Sequence, residues 1–287
     1  NVEKIRNMAA EMGLSLEGCE VLDLREAQYA PMRQRYAEIH AKKMERRGYT
    51  LQEAIDKMYE RNFFGMMMVE TGDADAMVTG MYTKYSNTIK VAKEVIGIRP
   101  GFNHFAAMHI LNTKRGLTFI ADTLINRSPN AETLEDIALL AASTARFFNR
   151  TPVCAMISYS NFGTDTEGSA GMVQEVIERL HQHHPELAID GEMQVNFALN
   201  RELRDEKYPF TRIKGMDVNT LIFPNLSAAN TSYKMIKNLA EDAEVIGPIQ
   251  MGLNKPIHFT DFESSVRDIV NITAIAVLDA FAQHLRP

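Results

Sequence analysis

Short apolar runs alternate with amphipathic stretches along this chain, which is the rhythm of an α/β protein. The runs Val21–Leu24, Met77–Thr79, Thr118–Ala121, Val153–Ile157, Leu221–Phe223 and Val245–Gly247 predict strands. Thr50-Leu-Gln-Glu53 is a capping box, in which the hydroxyl satisfies one orphan N–H while the carboxylate reaches back to another. Asn130 is placed to cap a helix whose Leu134, Ile137, Ala138, Ala141, Ala145 and Phe148 keep a 3.6-residue period. Met172–His181 predicts a further helix. Val266–His284 predicts the last one, apolar over much of its circumference and therefore expected to be buried. The segment Arg33–Arg47, dense in Lys and Arg, reads as a solvated helix face.

No internal repeat or low-complexity linker interrupts this pattern. The boundary candidates are Asn149-Arg-Thr-Pro152 and Gly247-Pro-Ile-Gln-Met-Gly252. Crossing at both makes residues 1–149 plus 251–287 a first, discontinuous α/β domain and 150–250 a second. With 287 residues, 45% apolar and 24% charged, the chain can pack a core, which excludes disorder as a description of the whole. A formal net charge of -6 argues against nucleic acid as a partner. Cys19 and Cys154 form no CxxC pair, so a disulfide framework and a thiolate zinc site are not expected, and a reducing cytoplasm is. No apolar run reaches membrane-spanning length, so no membrane partner is expected. No signal-peptide pattern opens the chain, which begins on Asn1 inside a helix-like segment, as expected of a piece cut from something longer.

Several motifs are missing: GxGxxG, GxxxxGK[ST] and HExxH. His181, His183 and His184 read as a solvated helix terminus, not a metal site. The most informative segment is Val153-Cys-Ala-Met-Ile-Ser-Tyr-Ser-Asn-Phe-Gly163, where a buried strand runs into a Ser-x-Ser-Asn-x-Gly loop. Ligands of open α/β sheets bind at the carboxyl ends of strands, and loop N–H groups with hydroxyls suit anions. Ser158, Ser160, Asn161 and Gly163 therefore either cradle a phosphate or thioester carbonyl, or form an ordinary turn with a capping Ser. Thr79 closes a second strand of the same type. Asp190 and Glu192 read either as a carboxylate pair for acid–base work or as a turn with a solvated face. These residues alone point to an α/β protein with an anionic ligand at its strand ends.

Seven segments together carry a resemblance to a known family. They are Ala76-Met-Val-Thr-Gly80, Ile120-Ala-Asp-Thr-Leu-Ile-Asn126, Ile157-Ser-Tyr-Ser160, Ile189-Asp-Gly-Glu-Met-Gln194, Ile222-Phe-Pro-Asn-Leu226, Asn230-Thr-Ser-Tyr-Lys234, and Gly247-Pro-Ile249 with Gly252-Leu-Asn-Lys-Pro256. In this order and spacing they resemble the phosphate acetyltransferase (phosphotransacetylase) family over nearly the whole chain. The resemblance implies two α/β domains with an interdomain cleft, dimerisation, and transfer of acetyl between coenzyme A and phosphate. It also implies a departure. Where active members carry a Ser-Arg pair, this chain has Asp261 and Phe262, while the family's following Asp survives as Asp268. Asp268 reads equally well as part of a capping box, Ser265-Val-Arg-Asp268. A coenzyme A-contacting Arg of the family falls at Lys90.

The Ser158–Gly163 loop, Lys255-Pro-Ile-His258 and Ser265-Val-Arg-Asp-Ile-Val-Asn271 are more similar to the C-terminal phosphotransacetylase-like domain of multidomain bacterial NADP-dependent malic enzymes. That likeness implies a catalytically degenerate sensor of acetyl-CoA with no cofactor of its own. NADP and a divalent metal are then expected in the malic enzyme catalytic domains, which are the implied partners in a homodimer or higher homo-oligomer. The expected acetyl-CoA cleft lies between the Ser158–Gly163 loop and the segment from Asn254 to Asp268. Lys90 and Lys255 are expected at the phosphates, with Thr79 and Asn230 as lesser contacts. The alternative is a working phosphate acetyltransferase.

Overall fold

The computed structural model describes residues 1–82 and 84–284, and the chain divides into two compact units, Asn1–Ala74 and Asp75–Pro287. The regular elements of the first are all helices, chiefly α1 (Val2–Glu11), α2 (Ala30–Met44), α3 (Leu51–Lys57) and α4 (Arg61–Thr71). The Thr50 capping box forms as expected, with the Glu53 N–H donating to Thr50 Oγ1 at 3.2 Å and the Thr50 N–H donating to Glu53 Oε2 at 2.8 Å. The basic segment spans α2, and most of its cations are exposed. Arg33 is buried instead, donating to the carbonyls of Leu24 and Glu26.

That contact also explains why Val21–Leu24 is not the strand its apolar run predicts. A strand needs a partner edge for its N–H and C=O groups, and this unit supplies none. The segment is irregular, with Asp23 capping the Arg25 N–H and the Arg33 guanidinium taking the Leu24 carbonyl.

The second unit opens with β1 (Met77–Gly80) and α5 (Tyr85–Val95), followed by the hairpin β2 (Ala106–Thr113) and β3 (Gly116–Ala121), then α6 (Ala131–Phe147) and β4 (Cys154–Ile157). It continues through α7 (Gly168–His183), β5 (Ile189–Met193), α8 (Val195–Leu199), α9 (Arg201–Lys207) and β6 (Thr220–Ile222). The chain then runs through α10 (Leu226–Leu239), β7 (Glu244–Met251), β8 (Ile257–Thr260) and α11 (Val266–His284). The six-stranded sheet has the order β5-β4-β6-β3-β2-β7, with β5, β4, β6 and β3 parallel and β2 antiparallel to both of its neighbours. Strands from both sides of Arg150 share this sheet. β1 and β8 form a separate parallel pair.

Both sheet faces are covered, which is what a parallel sheet requires. Side chains alternate with period two. Phe119, Ala121, Cys154 and Met156 face α6, α7 and α11, whereas Ile120, Ala155 and Ile157 join the cluster that includes Ala229 and Tyr233 of α10. Asn130 caps α6 through the Thr133 N–H at 2.8 Å. Cys154 is buried in the first cluster and its thiol is pushed up to about 12 by that burial; Cys19 is exposed. The expectation for α11 is half corrected. Ile272, Ile275, Ala276 and Ala280 are buried, but Val266, Val270, Val277, Leu278 and Phe281 stand in solvent. No helix among the described residues is long and apolar enough to cross a membrane.

Candidate functional site

β3, β4 and β6 run parallel in adjacent positions, so their carboxyl ends, Ala121, Ile157 and Ile222, open on one edge of the sheet. The chain leaves β3 through Asp122, whose buried carboxylate accepts the N–H groups of Ala107, Leu124, Ile125 and Asn126 at 2.7–3.2 Å. Burial pushes its pKa up, opposed by those N–H donors. Asp122 thereby shapes the turn that carries Thr123. The Asn230 amide of α10 donates to the Thr123 carbonyl at 3.1 Å, tying that helix to the strand end.

A cavity of about 360 Å³ lies beside this turn, lined by His109, Tyr233, Lys234, Lys237, Asp261 and Asp268 among others. The His109 ring stacks on Tyr233 with centroids 3.9 Å apart. Gly247 makes room for it: at φ 144, an added Cβ there would stand 2.7 Å from His109 Cδ2. The Thr123 hydroxyl donates to the Ala107 carbonyl at 3.2 Å, so its contact with His109 Nδ1 at 2.8 Å is an N–H donated by the imidazole. Nε2 then carries the lone pair. Burial, with Lys237 and Lys234 nearby, lowers the His109 pKa to about 3, which keeps the ring neutral. Burial and the neighbouring Asp261 and Glu263 push the Tyr233 phenol up to about 12.

The acidic groups of this cavity are largely occupied. Asp261 Oδ1 accepts the Glu263 N–H and the Ser264 hydroxyl, both at 3.0 Å. Asp268 completes the capping box of α11, accepting from the Ser265 N–H and hydroxyl at 2.9 Å. Glu263 stands 3.8 Å from Lys234. Phe262 is 67% exposed and is not part of the cavity lining.

The other expected residues distribute unevenly. Thr79 is the penultimate residue of β1, and its carbonyl accepts at 3.3 Å from Oγ1 of Thr260, the residue before Asp261. Gly80, at φ 138, allows the Thr260 backbone an approach that a Cβ would block. Asn254 and Lys255 precede β8 whereas Asp261 follows it, a separation of roughly 13 Å along four extended residues. Asn254 is engaged through its N–H with the Gly97 carbonyl at 3.1 Å. Lys90 is exposed on α5 and outside the cavity lining.

The Ser158–Gly163 loop folds around an anion of its own. Glu192, only 1% exposed, puts Oε1 within 2.9 Å of the Ser160 hydroxyl and 2.8 Å of the Gly163 N–H, and both donate to it. Asn161 Oδ1 accepts the Gln194 N–H at 2.9 Å, and Ser158 Oγ accepts the Ser160 N–H at 3.2 Å. Two of the donors expected to cradle a ligand, the Ser160 hydroxyl and the Gly163 N–H, are therefore taken by the protein. Asp190 is likewise buried, accepting from the Thr211 hydroxyl and the Arg212 N–H. Asp190 and Glu192 are buried and hydrogen-bonded within the protein and do not form a solvated face. His181 Nε2 donates to the Ile189 carbonyl at 2.9 Å, and His183 faces Glu135 at 3.5 Å.

Sequence reasoning missed His109, Lys237 and the part played by Tyr233. His109 sits in an otherwise apolar run, Phe105-Ala-Ala-Met-His-Ile-Leu111, and a lone His in a buried strand was the available signal.

An α/β unit with its polar groups gathered at the carboxyl ends of parallel strands defines the class, and the comparisons define the family. The chain belongs to the phosphate acetyl/butaryl transferase family, whose profile matches residues 1–277. It is 40% identical over 238 residues to an NADP-dependent malic enzyme of Salmonella typhimurium, covering 83% of this chain and 31% of that enzyme. It is 33% identical to a phosphate acetyltransferase of Thermoanaerobacterium thermosaccharolyticum, covering 98% of this chain and 85% of that protein. The structure superposes on a phosphotransacetylase from Streptococcus pyogenes with a TM-score of 0.85 at 30% identity, covering 98% of this chain and 84% of that one. The chain spans about a third of the length of the malic enzymes it matches.

Proposed function

We propose that this chain is an acetyl-CoA-binding regulatory domain of an NADP-dependent malic enzyme, itself catalytically degenerate. The observation that carries the reading is the lining of the cavity around His109. It holds Asp261 where the resembling transferases have a Ser, and Phe262 turns to solvent where they have an Arg. A bidentate guanidinium clamp is thereby missing, and a carboxylate faces the space a dianionic phosphate would need. Loss of one such electrostatic contact costs on the order of 10²–10³ in rate.

Binding needs less than turnover. The cavity suits the thioester end of acetyl-CoA, with Lys234 and Lys237 on its wall to meet the anionic part and Tyr233 and His109 offering a flat apolar surface. These two lysines take the role expected of Lys90 and Lys255. The domain needs no cofactor for this, and NADP and a divalent metal are assigned to catalytic domains elsewhere in the parent chain, in a cytoplasmic homo-oligomer. Binding regulates those domains only if acetyl-CoA prefers one of two arrangements of the assembly.

Arsenolysis of acetyl-CoA, followed by thiol release, tests degeneracy; no release above background is expected, and steady release overturns it. Calorimetric titration with acetyl-CoA tests binding. Lys234→Ala with Lys237→Ala is expected to weaken it by roughly tenfold or more, since hydrogen bonds to charged groups contribute about 1.5–3 kcal/mol. Absence of binding in the unaltered protein removes the sensor reading.

A second reading, a working phosphate acetyltransferase, draws on one observation. His109 Nε2 is unprotonated among the groups that line the cavity, where it can accept a hydrogen bond from a substrate thiol or hydroxyl. Steady arsenolysis that His109→Gln abolishes is the outcome that favours it.

A further inference from the structure

The opposite edge of the same sheet carries a second, larger groove, of about 760 Å³. Three arginines line it, each brought there by a different connection. Arg115 sits in the β2–β3 hairpin turn, Arg150 in the segment between α6 and β4, and Arg201 at the start of α9. Asn219 fixes the arrangement. Its Oδ1 accepts the Val153 N–H at 3.0 Å and its Nδ2 donates to the Thr151 carbonyl at 2.8 Å, while its own carbonyl accepts the Phe119 N–H at 2.8 Å. The amino ends of β4, β6 and β3 are thus cross-tied, and the segments bearing Arg150 and Arg115 are held to one side of the sheet.

The charges in this groove do not cancel. Asp217 pairs with Arg201 at 3.0 Å, whereas Arg115 and Arg150 make no ion pair among the described residues. Only one further carboxylate, Glu202, lines the groove. The chain as a whole carries a formal charge of -6, so a cationic groove on it is a local departure. Three guanidinium groups against two carboxylates leave the lining with a cationic excess, and a bound dianion would supply the missing counter-charge. Guanidinium groups offer the planar fork that matches phosphate oxygens two at a time. Leu117, Leu199 and Val218 add apolar lining beside them.

We propose that the groove bounded by Arg115, Arg150 and Arg201 is a binding site for a phosphate-bearing small molecule, separate from the cavity at His109. It does not depend on the acetyl-CoA reading, because no lining residue is shared with that cavity.

The test is calorimetric titration of the full chain with inorganic pyrophosphate and, separately, with ADP at low ionic strength. Both probes are expected to bind, and more weakly as salt is raised. Arg115→Ala with Arg150→Ala is expected to weaken both by at least tenfold. Because both side chains are exposed, the unliganded melting temperature of that variant stays at the unaltered value. Lys234→Ala with Lys237→Ala is expected to leave both affinities within twofold. Tighter binding of ADP than of pyrophosphate assigns a nucleoside-bearing ligand to the apolar lining, and equal affinity assigns a free phosphate group; either supports the site. Affinity unchanged in the arginine variant, affinity lost only in the lysine variant, or no binding to the unaltered chain overturns it.

Discussion

Single residues in this protein show how one chemical group takes its meaning from where it is buried. Glu192 is a carboxylate in a sequence that invites an acid–base role, yet its oxygen is spent on the Ser160 hydroxyl and the Gly163 N–H. Glu192→Ala removes the acceptor of the buried Ser160 hydroxyl and of the exposed Gly163 N–H, and a buried donor left unpaired costs about 1–3 kcal/mol. A loss of roughly 1–3 kcal/mol is therefore expected in urea denaturation, and an unchanged midpoint would mean that the loop finds other acceptors. His109 gives a prediction in pH. Its folded pKa, about 3, lies below the ordinary 6.5. Above 6.5 both states carry a neutral ring; below it the unfolded chain takes a proton the folded one refuses, so stability falls as pH falls. At about 1.4 kcal/mol per pH unit, this amounts to a loss of up to about 2 kcal/mol between pH 6.5 and 5. Denaturation at the two pH values is expected to show that loss in the unaltered protein and not in His109→Gln.

Elements form here where local signals and tertiary partners agree. Asn130 and Thr50 cap their helices as their sequence contexts require, because capping bonds involve only residues three apart. Asn130→Ala is expected to cost about 1 kcal/mol, read as a lowered denaturation midpoint with an unchanged slope. Strands are different. Val21–Leu24 has the apolar run but no edge to pair with, whereas Ile189–Met193 and Ile257–Thr260 are strands that no run announced strongly, and the run of Ala106–Thr113 is broken by His109. Asp190, Gly191 and Glu192 interrupt β5 with groups that a solvated turn would also use. Pairing with β4 makes the segment a strand, and Thr211, Arg212, Ser160 and Gly163 meet its two carboxylates.

At the scale of the whole molecule, the exposed side of α11 bears on assembly. Val270, at 61% exposure, and Phe281, at 64%, lie on a helix whose other side packs the core. The proposed homo-oligomer is expected to use this side as its contact surface. Burying an unpaired carboxylate there costs several kcal/mol, so Val270→Glu is expected to shift the protein toward monomer in sedimentation velocity. The folded far-ultraviolet spectrum should be retained. An unchanged sedimentation coefficient would place the contact elsewhere.

The sequence by itself determined the α/β alternation, the capped helices, the strand ends after Met77, Thr118, Val153 and Leu221, and the family, since each depends on local pattern or motif order. Only the tertiary structure decided which polar residues meet. Asp261 and Asp268 join His109 and Lys237 although more than a hundred residues separate them in the chain from His109, because β2 and β7 are neighbours in the sheet. Ser160 and Gly163 turn inward for an equally non-local reason: β5 lies beside β4 and delivers Glu192 to them. Hydrogen bonds between segments distant in sequence leave no periodicity to read. Whether a hydroxyl, an amide or a carboxylate is free for a ligand is therefore settled by the fold, through the partner that reaches it first.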